Sequence, residues 1–310
     1  MLNAIAAALG PVFAVIVMGY ALKRWSIMRG PFGARFWPAA ENMTYFVLLP
    51  SLLFLSLARA DLGAVAVAPL VASLSGTILI VAGLVLAARP WLKLSGPAFS
   101  SVMQSAIRPN TYVGVAPVFA LWGEDGLALL AVGIVSVIPL VNLLSVIAVS
   151  RFATAQTQPG PWAMLGLIAR NPLIIACLLG VSASLIELPL PQTVQTILQG
   201  LGTAAMPIGL LTVGAALDLA AVRGSIPLIV LTSAIKLLLF PAITALIGVP
   251  LGLSGTAMSV ALFYGGLPIS ASAYVLARQL GGDAPLLAGV LTATTLAAFL
   301  TLPVIILVAS

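Results

Sequence analysis

Apolar runs of about 20 residues follow one another along the whole chain, separated by short breaks of glycine, proline and basic residues. A run of that length, wound as a helix, crosses the ~30 Å hydrocarbon layer of a bilayer. No water satisfies backbone N–H and C=O groups there, so only helices and closed barrels can span it. The runs lack the strict apolar–polar alternation of a barrel strand, and they therefore predict helices. The expected fold class is an all-α membrane protein. Composition agrees, since only 6% of the 310 residues are charged and the mean hydropathy is +1.22. Both values lie outside the range of soluble domains.

Glycine, proline and charge clusters divide the runs into ten expected spans. Their limits are near 3–22, 42–58, 64–88, 97–121, 126–150, 166–187, 193–217, 225–247, 254–278 and 284–308. The first, Leu2 to Leu22, has neither a positive leader nor a small-residue cleavage site and reads as an uncleaved helix. Connections are short; the longest breaks are Lys23 to Glu41 and Arg151 to Pro161.

Basic residues orient such a bundle, because loops rich in lysine and arginine stay on the cytoplasmic side. With alternate connections assigned to opposite sides, Lys23, Arg24, Arg29, Arg35, Arg89, Lys93, Arg151, Arg170, Arg223 and Arg278 fall together. Arg59 falls opposite, and Arg108 and Lys236 sit near span centres. Both termini are then expected outside, which requires an even number of spans. The net charge of +6 is dispersed and forms no dense patch, so the lipid bilayer is the expected partner and nucleic acid is not.

Several chemistries are excluded on residue type. Histidine is absent, which removes the commonest metal ligand and proton shuttle. Cys177 is the single cysteine, so no disulfide framework is possible and a packing role is expected. There is no Gly-x-Ser-x-Gly elbow and no pair of carboxylates at membrane depth, so an enzyme is not expected. No metal and no cofactor is expected.

The chain repeats itself. Pro11 and Gly19 are spaced as Pro172 and Gly180 are; Pro50 and Asp61 as Pro207 and Asp218; Asn110 and Asp125 as Pro268 and Asp283. The offset stays close to 158 residues. A five-span unit duplicated in tandem must insert its second copy upside down, so 1–150 and 151–310 read as inverted repeats.

In both copies a helix breaker falls mid-span: Pro109 within IRPNTYVGVAP in the fourth span, and Gly265, Gly266 and Pro268 in GGLPISASAYVLA of the ninth. Proline lacks an N–H and clashes with the carbonyl four residues back, so each span should divide into two half-helices. Irregular backbone at that depth is tolerated only where protein or a wet cavity receives it, and the first N–H groups of a half-helix favour anions. The candidate substrate-binding residues are Arg108, Pro109, Asn110, Thr111 and Tyr112 in one copy and Gly266, Pro268, Ser270 and Ser272 in the other.

Arg108 costs a few kcal/mol at the bilayer centre on insertion scales, and its planar fork suits a carboxylate or phosphate. It could equally neutralise carbonyls at the end of the preceding half-helix, or reach water. Lys236, midway along the eighth span, is expected to compensate half-helix ends. Both intramembrane charges are positive, which favours an anionic cargo. Asn142 in the fifth span, and Thr292, Thr294 and Thr295 in the tenth, are polar groups at membrane depth for helix–helix bonding or coupling. Glu41 and Tyr45 should open the second span.

With these residues assembled, the chain resembles the auxin efflux carrier family, which includes plant auxin exporters and bacterial carriers described as malonate or malate transporters. The resemblance rests on RPNTYVGVAP at Arg108 to Pro117, Pro139 with Asn142 in VIPLVNLLSV, and Asn171–Pro172. Pro207 with Gly214 in MPIGLLTVGA and LPISASAYVLARQLGGD at Leu267 to Asp283 complete it. It implies a ten-helix fold shared with bile-acid symporters and sodium/proton antiporters, with broken helices four and nine crossing. It implies a scaffold of helices one, two, six and seven that forms a homodimer, and a transport domain of helices three to five and eight to ten moving as an elevator. The family's crossover Pro–Asn falls on Pro109 and Asn110, and its second crossover proline on Pro268. Arg108 is common in bacterial members and not in plant exporters, so the plant substrate is not carried over, and the plant proteins' long cytoplasmic loop is missing.

The expected function is therefore a secondary transporter of a small organic anion in a bacterial inner membrane, exporting or facilitating. A sodium- or proton-coupled symporter of the same fold is the alternative, because unwound carbonyls with Asn, Thr and Ser oxygens can hold sodium. A channel or sensor would use the same bundle without alternating access.

Overall fold

The structure is a computed structural model that describes residues 2–25, 28, 30–60, 67–152, 166 and 169–309. Arg29, Asp61 and Pro161, used above for orientation, repetition and connection, lie outside the described residues. The described residues are helical apart from short connections and a single β-bridge. Among the described residues, seven helices are long and apolar enough to cross a membrane: α1 (Leu2–Arg24), α2 (Pro31–Arg59), α3 (Val67–Leu92), α5 (Thr111–Phe152), α7 (Gln192–Ala216), α8 (Ile226–Gly248) and α11 (Ala284–Ala309). Between them stand α4 (Gly96–Ile107), α6 (Pro172–Leu185), α9 (Gly255–Gly265) and α10 (Ala271–Leu280). The protein is thus an all-α membrane protein.

Local chemistry explains several ends. Asn171 accepts from the N–H groups of Leu173 and Ile174 at the start of α6, and Pro172 occupies a position where the missing N–H costs nothing. Gly281, at φ 78°, ends α10 in a left-handed turn that suits glycine. Gly123, at φ 61°, kinks α5 and divides it into two pieces where the expected fourth and fifth spans adjoin. One boundary differs from expectation: α2 begins at Pro31 rather than near residue 42, since Gly30 and Pro31 start a helix instead of extending the break. Glu41 and Tyr45 consequently sit inside α2, the latter in a π turn at Thr44–Leu48.

The chain forms two compact units. One comprises α1, α2, residues 112–135 of α5, α6 and α7. Here close helix crossings are made by glycine. A Cβ on Gly19 of α1 would collide with the Leu211 carbonyl of α7, and one on Gly214 of α7 with the Ile16 carbonyl of α1. A Cβ on Gly180 of α6 would lie 2.8 Å from the Phe54 carbonyl oxygen of α2. Without a hydrophobic force between helices in lipid, such backbone approach is what holds a pair together. Cys177 is wholly buried in this unit, as its packing role requires.

The other unit comprises α3 from Ala68, α4, residues 136–152 of α5, and α8 to α11. The half-helix α4 lies deep within it, with residues 98–107 all buried. Its start abuts the end of α5, where a Cβ on Gly96 would meet the Phe152 carbonyl and the Phe99 and Phe152 rings stack edge to face at 4.9 Å. The Arg89 guanidinium covers the Phe152 ring at 4.3 Å. Ser101 accepts from the Asp283 N–H at 2.9 Å, tying α4 to the start of α11. Thr77 and Thr244 join α3 to α8 through their hydroxyls at 3.1 Å.

Candidate functional site

The second unit contains the two places where helices stop, after Ile107 and after Gly265. Helix α4 ends at Ile107 and α5 begins at Thr111; α9 ends at Gly265 and α10 begins at Ala271. The two interruptions bond to one another. The Asn110 N–H donates to the Pro268 carbonyl at 2.8 Å, the Ser270 N–H donates to the Arg108 carbonyl at 3.1 Å, and Pro109 faces Ile269 in an antiparallel bridge. Backbone groups freed by the breaks thereby satisfy each other, which removes much of the cost of unwinding a helix at membrane depth. Pro109, Asn110, Gly266 and Pro268 are buried, whereas Arg108, Thr111, Ser270 and Ser272 are half-buried.

Arg108 follows the last residue of α4 in extended backbone geometry, φ −103° and ψ 98°. Its Nε donates to Ser272 Oγ at 3.1 Å and its Nη2 donates to Asn142 Oδ1 at 2.8 Å. Both acceptors are uncharged, so these bonds aim the guanidinium without neutralising it. Ser270 Oγ stands 2.8 Å from Ser272 Oγ and accepts from the Ser272 N–H, capping α10. Thr294 Oγ1 accepts from the Ile269 N–H at 3.3 Å and pins the second interruption to α11. Thr295, equally buried, donates to the Leu291 carbonyl one turn back, and Thr292 accepts from the Asp218 N–H.

Lys236 is fully enclosed, and the π turn at Ile235–Leu239 of α8 carries it. Its ammonium donates to the Gly265 carbonyl, at the end of α9, and lies 4.3 Å from the Phe240 ring centre. A cation at the C-terminal end of a half-helix meets the negative end of its dipole. Tyr112 is not gathered with these residues. It belongs to the other unit, where it packs against Gly209 of α7, whose Cβ would come 3.1 Å from the Tyr112 ring.

Sequence reasoning passed over two polar residues. Gln104, one turn before Arg108, and Ser145, one turn beyond Asn142, are wholly buried. The only signal for Gln104 was an amide within an otherwise small and apolar half-helix.

Comparison with known proteins joins this geometry to a family. The family described as membrane transport protein matches residues 162–306, which include α6 to α10, the second interruption and most of α11. An uncharacterized transporter of Methanothermobacter thermautotrophicus is 26% identical over 298 residues, covering 94% of each chain. The second half of the chain thus matches a membrane transport protein family, and its similarity to a transporter runs along nearly the whole length. The paired interruptions, bonded to one another beside Arg108, are the candidate site. The structure brings together eight of the nine candidate substrate-binding residues in one unit, with Tyr112 apart.

Proposed function

We propose that this transporter moves a small organic anion, a carboxylate, by alternating access, holding it at the crossing of the two interrupted spans. The observation that carries this reading is the Arg108 guanidinium, oriented by the uncharged oxygens of Ser272 and Asn142. Beside it lie the N-terminal ends of two helices, begun at Thr111 and Ala271. Each end presents N–H groups with a partial positive charge, and a carboxylate suits both the ends and the fork. Lys236 already covers the negative end of α9, so its charge is committed to the fold.

Counting the two interrupted spans once each, and dividing α5 at Gly123, gives ten membrane crossings. An inverted duplication is supported by pairs of contacts. Gly19, eight residues after Pro11, meets the residue four after Pro207; Gly180, eight after Pro172, meets the residue four after Pro50. The bond from Asn110 to Pro268 and the bond from Ser270 to Arg108 exchange under a local two-fold that pairs Asn110 with Ser270 and Pro109 with Ile269. Arg108, both interruptions and the start of α10 fall within one compact unit, which an elevator would carry as a body. The unit built on α1, α2, α6 and α7 then serves as the scaffold and the dimer surface. Both termini face outward, with the basic loops in the cytoplasm.

The test is uptake into proteoliposomes of labelled mono- and dicarboxylates, with an imposed potential and with or without a sodium or proton gradient. Saturable uptake that Arg108→Gln lowers at least tenfold, in a variant that elutes and melts like the parent, is the expected result. Uptake unchanged by that substitution removes Arg108 from the site. Acceleration by a sodium or proton gradient selects the coupled symporter, and unsaturable flux selects a channel.

A further inference from the structure

Gln104 has 0% exposure, and both its Oε1 and its Nε2 lie without a hydrogen-bond partner. Ser145, in the part of α5 that shares its unit, has 0% exposure too, and its hydroxyl likewise lacks a partner. Elsewhere on α4, Ser100 donates to the Pro97 carbonyl and Ser101 bonds with Asp283, while the Ser105 hydroxyl beside Gln104 also lacks a partner. A carboxamide offers two donors and two acceptors, and each buried group left unmatched costs about 1–3 kcal/mol. Natural proteins retain such groups where something else completes them.

Two contacts set the level of these side chains. Gly96 abuts Phe152 at one end of the pair formed by α4 and the last part of α5, and Arg108 bonds Asn142 at the other. The helices therefore run antiparallel. At ~1.5 Å per residue, Gln104 lies about 12 Å above the first contact and Ser145 about 10.5 Å above it. They share one level. Gln104 in turn precedes Arg108 by four residues, a rise of about 6 Å.

We propose that Gln104 and Ser145 form a second, uncharged subsite that receives the far end of the cargo. The inference rests on the reading of Arg108 and the helix N-termini as the carboxylate site. Amide and hydroxyl can both donate and accept and carry no charge, so they match a hydroxyl, carbonyl or amide group. A second carboxylate, stripped of water there, would find too few donors. A chain of three or four carbons spans the distance from Arg108 to Gln104. The cargo class is thus a short monocarboxylate with an uncharged polar group at its far end.

The test uses purified protein and two probes, butyrate and 4-hydroxybutyrate, read by thermal stabilisation against concentration. The hydroxylated acid is expected to reach half-maximal stabilisation at roughly tenfold lower concentration, the worth of one buried hydrogen bond. Gln104→Leu should abolish that preference and leave butyrate within about twofold. Ser145→Ala, a smaller change in a packed interior, should narrow the preference in the same direction and serves if Gln104→Leu fails to fold. Equal stabilisation by both acids in the parent overturns the subsite alone. Equal weakening of both by each variant assigns the residues a packing role and also overturns it. Stabilisation by neither acid, with Arg108→Gln also indifferent, overturns the carboxylate site and the subsite together.

Discussion

Arg108 and Lys236 are both cations at membrane depth, and each is held by oxygen, yet the oxygens differ in kind. The Lys236 ammonium is spent on a backbone carbonyl at a helix end, whereas the Arg108 fork is steered by two neutral side chains. Lys236→Met should therefore lower stability by about 1–3 kcal/mol, as the Gly265 carbonyl loses its donor; a thermal melt in detergent measures this. Ser272→Ala and Asn142→Ala should instead spare the melt and raise the KM for anion a few-fold, because a loosened guanidinium pays more entropy to bind. At this scale the sequence announced the charges but not their partners. Ser272 lies 164 residues from Arg108, and nothing in either local pattern names the other. Gln104 was hidden for the same reason, since its meaning depends on what surrounds it.

Helices and their interruptions were far more legible. Pro109 and the Gly265–Gly266–Pro268 group remove hydrogen bonds from any helix that contains them, so local chemistry alone placed the breaks that the structure shows after Ile107 and Gly265. The start of α2 at Pro31 was missed because the same residue type that ends a helix also begins one. The two π turns, at Thr44–Leu48 and Ile235–Leu239, had no local signature either. Glycines separate by where they lie. Gly19→Leu and Gly214→Leu put side chains into opposing backbone, and both should abolish a monodisperse, folded protein on size-exclusion chromatography. Gly10 meets nothing within 4 Å, so Gly10→Ala should be neutral or stabilise by up to ~1 kcal/mol. An equal response of Gly10 and Gly19 would show that helix propensity, rather than close approach of α1 to α7, governs this unit.

The whole molecule combines an anion site with a membrane potential. Moving one charge through 100 mV changes its free energy by about 2.3 kcal/mol, so an uncoupled carrier of a monovalent anion should respond steeply to voltage. Uptake into liposomes should rise when the interior is made positive and fall when it is made negative; indifference to the sign would mean that a cation travels with the cargo. The central claim is narrower still: the meeting of the two interrupted spans binds the anion. A density map of the protein in nanodiscs with a saturating transported carboxylate tests it most directly. The account predicts density for the carboxylate against the Arg108 guanidinium, between the helix starts at Thr111 and Ala271. Density for the anion elsewhere, with Arg108 turned back onto the carbonyls that end α4, would contradict it.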